Sequence, residues 1–135
     1  MTGILIVTHN NIGKEMLKTA ETIVGKCVAT IRTVGIPGDL IAAELGRYAD
    51  QIKSDIDTLD KGQGVLILTD IFGATPSNLA HYFANHHNVK IVTGLNLPML
   101  IRIINYDEQS LPEMALSAIQ GANKGISKEE DGLSI

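Results

Sequence analysis

With 135 residues and 14.5 kDa the chain has material for one ordinary domain, because two would each be starved of core. Eleven Lys and Arg against 15 Asp and Glu give a net charge of −4, which excludes holding nucleic acid by phosphate neutralisation, and the single Cys27 excludes a disulfide framework or a multi-cysteine zinc site. No apolar run reaches the roughly 18 residues of a membrane span and no basic stretch precedes the first apolar run, so a cytoplasmic chain without direct membrane insertion is expected.

The hydrophobic fraction is 44% with no Trp, two Phe and three Tyr, so the core must be aliphatic, as in parallel sheets covered on both faces. In chain order, Ile4 to Val7 reads as a strand apolar on both sides. The set Ile12, Met16, Ala20, Ile23 and Val24 then keeps helical spacing, and Gly25 supplies the left-handed residue that closes the helix. Val28 to Val34, interrupted by Thr30, Arg32 and Thr33, reads as an edge strand, with Cys27 beginning it as a small hydrophobe. Asp39 is placed as the cap of the longest helix, whose Ile41, Leu45, Tyr48, Ile52, Ile56 and Leu59 recur at steps of three and four. Val65 to Leu68 is a second buried strand, and Thr75 caps a helix with Pro76 in its first turn, running through Leu79 and Phe83 toward Asn85. Val89 to Val92, broken by Lys90, is the fourth strand. Leu97 to Ile104 is a short helix whose Met99-Leu100-Ile101 run, with Ile103 and Ile104, serves the core or a subunit contact. Ser110-Leu-Pro-Glu113 is a capping box that opens a last helix through Ile119 to about Ala122.

Strands alternating with helices predict an α/β fold, a three-layer sandwich with a mostly parallel four-stranded sheet and helices on both faces, for which the strand order 2-1-3-4 is expected. One domain is expected over residues 1–126, followed by a polar tail over 127–135.

In open parallel sheets, reactive groups collect beyond the carboxyl ends of the strands. After the first strand comes Thr8-His9-Asn10-Asn11, and after the third comes Thr69-Asp70 followed by Ile71-Phe72-Gly73-Ala74-Thr75-Pro76-Ser77-Asn78. If these two strands are neighbours, His9 and Asp70 meet at one rim. An aspartate that accepts the Nδ1 proton fixes the histidine tautomer and leaves Nε2 facing outward as a nucleophile. Gly73 and Ala74 permit close backbone approach, and Thr75, Ser77 and Asn78 bring hydroxyls and amides to a helix start, where anions are stabilised. A nucleophilic histidine beside a phosphoryl cradle suggests a phosphohistidine intermediate. No metal or cofactor is expected: His81, His86 and His87 have no matching carboxylate or cysteine set.

The three blocks Ile4-Leu-Ile-Val-Thr-His9, Val65-Leu-Ile-Leu-Thr-Asp70-Ile-Phe-Gly-Ala-Thr-Pro-Ser-Asn78 and Val92-Thr-Gly-Leu-Asn-Leu-Pro-Met-Leu100 resemble the enzyme IIA component of the mannose family of the bacterial phosphotransferase system. The resemblance implies a cytoplasmic phosphotransferase component with the phosphorylated histidine at His9, the orienting aspartate at Asp70 and the hydroxyls of the phosphoryl loop at Thr75 and Ser77. It also implies the phosphocarrier protein HPr as donor and, with no IIB stretch read in the chain, a separate IIB component as acceptor during sugar uptake. A homodimer that exchanges a carboxy-terminal antiparallel strand is implied too, for which Gly125 to Lys128 is the only candidate and a poor one. The chain departs from the family pattern in having Asn10-Asn11 where glycine often follows the histidine, and Ala74 where a second glycine is common. Three other readings remain open. A regulatory phosphohistidine domain and the donor subunit of a dihydroxyacetone kinase share the chemistry. A receiver-like domain phosphorylated on Asp70 lacks the acids it would need after the first strand.

Overall fold

Gly3–His9 forms β1, the strand around which the molecule is built, because its run of aliphatic side chains is covered on both faces. The computed structural model describes residues 1–71, 74–85 and 87–129. After β1 come α1 (Ile12–Val24), β2 (Ile31–Ile36), α2 (Leu45–Leu59), β3 (Val65–Thr69), α3 (Thr75–Ala84), β4 (Val89–Thr93), α4 (Leu97–Asn105) and α5 (Leu111–Lys124). The four strands are parallel and lie in the order β2-β1-β3-β4, the expected arrangement.

Alternation along the inner strands divides the core. Ile4 and Ile6 of β1, with Leu66 and Leu68 of β3, join the layer made by α1, α4 and α5. Leu5 and Val7, with Val65 and Ile67, join the layer made by α2 and α3. All eight are essentially without solvent contact, and each buried aliphatic side chain of this size contributes about 1.5–3 kcal/mol. Met99, Leu100, Ile103 and Ile104 of α4 are likewise buried, so that run is core.

Several boundaries follow the expectation closely. Gly25 closes α1 at φ 83°, a left-handed conformation that favours glycine, and its N–H donates to the Glu21 carbonyl. The Ser110–Glu113 capping box opens α5 with both reciprocal bonds in place, 3.4 Å from the Glu113 amide to Ser110 Oγ and 3.1 Å from the Ser110 amide to Glu113 Oε1.

Others need correction. Asp39 does not cap α2. Its segment is a turn in which the Leu40 N–H donates to the Pro37 carbonyl, followed by a single 3-10 turn over Ala42–Glu44, so the helix starts at Leu45 and leaves Ile41 exposed. Thr75 is not a cap either: Ala74 takes that place with extended backbone, and Thr75 and Pro76 are already helical. β2 begins at Ile31, because Val28 to Ile31 makes a turn closed by the Ile31 N–H on the Val28 carbonyl, and Cys27 is exposed ahead of it. Arg32 breaks the apolar run of β2 because it reaches over to buried Asp55 of α2, 3.2 Å away. Residues 125–128 form no strand: Gly125 ends α5, and the chain continues without regular structure to residue 129.

Candidate active site

Parallel pairing of β1 with β3, in register Val7 to Thr69, brings the ends of the two strands side by side and sets His9 against Asp70, the residue that follows β3. Asp70 Oδ2 accepts two hydrogen bonds from His9, one from the backbone N–H at 3.0 Å and one at 2.9 Å from the ring Nδ1, when that nitrogen carries the proton. Asp70 Oδ1 accepts from the Ile71 N–H at 2.9 Å, so both carboxylate oxygens are engaged. Only one tautomer satisfies this geometry. With Nδ1–H held by a carboxylate, the lone pair of the neutral ring lies on Nε2.

The His9 side chain is 34% exposed and that of Asp70 13%, so the ring stands at an open rim while the carboxylate behind it is largely covered. Burial alone would push the Asp70 carboxyl up. The bonds from the His9 amide and ring and from the Ile71 amide, with the charge of a protonated His9, outweigh it and hold the group below the usual aspartate range.

The main chain beyond His9 is tightly held. Thr8 is buried, and its hydroxyl accepts from the Gly13 N–H at 2.9 Å, which caps α1 from the preceding strand. Asn10 adopts φ 49°, the one described non-glycine residue in the left-handed region. Its N–H donates to the Ile36 carbonyl at 2.7 Å, and its side-chain oxygen accepts from the Gly38 N–H at 3.1 Å. Gly35 is what lets the turn pack, since a Cβ there would overlap the Asn10 carbonyl oxygen.

On the other side of the rim, α3 packs against β1, β3 and β4 with its first turn at the carboxyl edge of the sheet. The first helical bond runs from the Asn78 N–H to the Ala74 carbonyl at 2.9 Å, and helix geometry leaves the Thr75 and Ser77 amides without intrahelical partners. Thr75 and Asn78 are exposed and Ala74 is half-buried. Ser77 is fully buried, and its hydroxyl has no hydrogen-bond partner, so of the two expected hydroxyls only that of Thr75 belongs to an exposed residue. Gly73 lies outside the described residues, as does His86. An apolar cavity of about 390 Å³ opens between the Leu40–Leu45 segment and Thr75, Asn78 and Leu79; neither His9 nor Asp70 lines it. Among the described residues no three His, Cys, Asp or Glu side chains gather as metal ligands, and no helix is long and apolar enough to cross a membrane.

The family model EIIA-man, described as the PTS system fructose IIA component, matches residues 3–120. The chain belongs to this family. Among EIIA-man relatives, it is 28% identical over 127 residues to the PTS system mannose-specific EIIAB component of Escherichia coli strain K12, covering 92% of this chain and 38% of that protein. It is 25% identical over 130 residues to the PTS system fructose-specific EIIA component of Bacillus subtilis, covering 96% of this chain and 84% of that one. The chain thus spans well under half the length of the EIIAB relatives it matches. A PTS IIA protein associated with the fucose utilization operon of Streptococcus pneumoniae has a crystal structure that superimposes with TM-score 0.77 at 32% identity, over 94% of this chain and 92% of that chain. The mannose/sorbose-specific IIA subunit of Enterococcus faecalis superimposes with TM-score 0.82 at 19% identity over 99% of this chain and 98% of that one, a likeness of fold alone.

The pairing of His9 with Asp70 was foreseeable from strand order. The part played by Asn10 was not. Its one trace in the sequence is an asparagine directly after a strand-end histidine, the non-glycine type best suited to a left-handed turn.

Proposed function

We propose that this chain is a phosphoryl carrier that accepts a phosphoryl group on His9 Nε2 from phospho-HPr and passes it to a IIB component for sugar uptake. The observation that carries the reading is the double grip of Asp70 Oδ2 on the His9 amide and ring. It aims the Nε2 lone pair out of the rim and meets the positive charge the ring gains on attack. In the transfer, the Nε2–P bond forms as the donor's N–P bond breaks in line, and the donor ring leaves with the electron pair of the broken bond. The Thr75 hydroxyl, with the Thr75 and Ser77 amides at the start of α3, is suited to hold the phosphoryl oxygens.

Donor and acceptor are both phosphohistidines, so the step is close to thermoneutral. The chain's task is positioning and electrostatics. A homodimer belongs to the same proposal. β4 is one of the two edge strands of the sheet, with Val89 and Ile91 only half-buried along it, and among the described residues no strand pairs with its outer side, so a second copy could add there.

Incubation with phosphoenolpyruvate, enzyme I and HPr should place one acid-labile, base-stable phosphate on His9. Equal labelling of His9→Ala would end the proposal.

A further inference from the structure

The turn after β1 is bound more heavily than a strand-to-helix connection requires. Asn10 sits at φ 49°, where a non-glycine residue is uncommon, and it is held there from two directions. Its N–H extends the β1–β2 ladder by one rung to the Ile36 carbonyl, and its side-chain oxygen reaches the Gly38 N–H in the loop after β2, 3.1 Å away. Its carbonyl lies where Gly35 leaves room for it and no other side chain would.

His9 is therefore gripped on both flanks: Asp70 holds its amide and ring from the β3 side, and the next residue is fastened to β2 and its loop. A glycine at position 10 could adopt the same φ but could not reach Gly38, so the side chain supplies something the turn conformation alone does not.

We propose that Asn10 is a positioning residue for His9: its side-chain bond to Gly38 locks the turn that carries the imidazole, so that Nδ1 stays on Asp70 and Nε2 stays aimed outward. The inference rests on His9 being the phosphorylated residue. The side-chain partner of Asn10 is the Gly38 amide, not the His9 ring. It acts through the main chain, by denying the strand end the rotation that would let the ring swing off the carboxylate.

The test is Asn10→Gly, which can adopt the same backbone conformation and removes the clamp, read beside Asn10→Ala, which removes the clamp without glycine's added backbone freedom. The imidazole nitrogens of ¹⁵N-labelled wild-type protein should show a single neutral tautomer protonated at Nδ1, and those of N10G a mixture. In single-turnover transfer from phospho-HPr, N10G should react about tenfold more slowly at saturating donor, with the half-saturating donor concentration unchanged within twofold. Asn10→Asp, which keeps an acceptor for the Gly38 N–H, should restore the single tautomer.

Wild-type tautomer and rate in N10G would overturn the proposal, as would a loss of thermal stability with the tautomer unchanged. If wild-type protein proved not to be phosphorylated on His9, the carrier function would fall, yet the nitrogen spectra would still decide whether Asn10 positions the ring.

Discussion

Replacing Asp70 by Asn alters one atom of the site and forces a choice that the carboxylate avoids. The wild-type group offers an acceptor to each side, Oδ2 to the His9 amide and ring and Oδ1 to the Ile71 amide. An amide can present its oxygen to only one of them. With the oxygen toward His9, the ring keeps its bond but loses a charged acceptor. Charged hydrogen bonds are worth about 1.5–3 kcal/mol against about 0.5–1.5 for neutral ones, a loss of about 1–1.5 kcal/mol, so transfer should slow by roughly five- to twelvefold. With the NH2 toward His9, Nδ1 must become the acceptor, the proton moves to Nε2, and the nucleophilic lone pair is gone; a wrong tautomer of this kind costs a hydrolase triad about 10⁴-fold. The expected result is a fall of at least about fivefold and at most about 10⁴-fold in the first-order rate of His9 phosphorylation, followed by rapid quench with saturating phospho-HPr. The size of the fall identifies the orientation. A D70N protein labelled within threefold of the wild-type rate would refute the claim that Asp70 orients the ring.

The same carboxylate sets a pH dependence. Its folded value lies below the ordinary range, so its contribution to stability is complete above the unfolded value of about 3.9 and is lost as the pH falls through the folded one. Urea midpoints should therefore favour wild type over D70N at pH 7 and converge below about pH 4; a constant gap would remove Asp70 as its source. Ser77→Ala deletes a buried hydroxyl that has no partner, so stability should hold or rise and transfer should stay within twofold, whereas Thr75→Ala should slow transfer about tenfold. The reverse pattern would show that Ser77 touches the phosphoryl group. Ser110→Ala removes half of the α5 capping box and should cost about 1 kcal/mol, read as a drop of roughly 4 °C in Tm with transfer unaffected.

What could be read from the sequence depended on whether the signal was carried by many residues or by one. The buried strands declared themselves because their aliphatic runs have no polar face, and parallel pairing then followed from the βαβ alternation. The Ser110–Glu113 box and Gly25 were legible because each is a local device whose partners lie within four residues. Asp39 and Thr75 misled for the complementary reason. Both are good capping types, yet the tight Pro37–Leu40 turn absorbs the first, and the extended Ala74 pre-empts the second. Ser77 shows the limit at the site itself: it follows Pro76 on the face of α3 turned toward the sheet, and the side a helical residue presents depends on tertiary packing that a loop motif does not encode. Asn10 depends on a loop 28 residues further along the chain, which no local pattern announces.

The hydrogen-bonded pair at the rim joins positions 61 residues apart. A ribosome would release the imidazole long before the carboxylate, and the two cannot meet until the β2 and α2 excursion has folded back and the third strand has docked beside the first. Closing a loop of that length is a late and collective event in a parallel sheet. If His9 carries the phosphoryl group as proposed, competence to take it up would certify that β1 and β3 have paired, so a half-made or damaged copy would stay chemically silent instead of draining the relay.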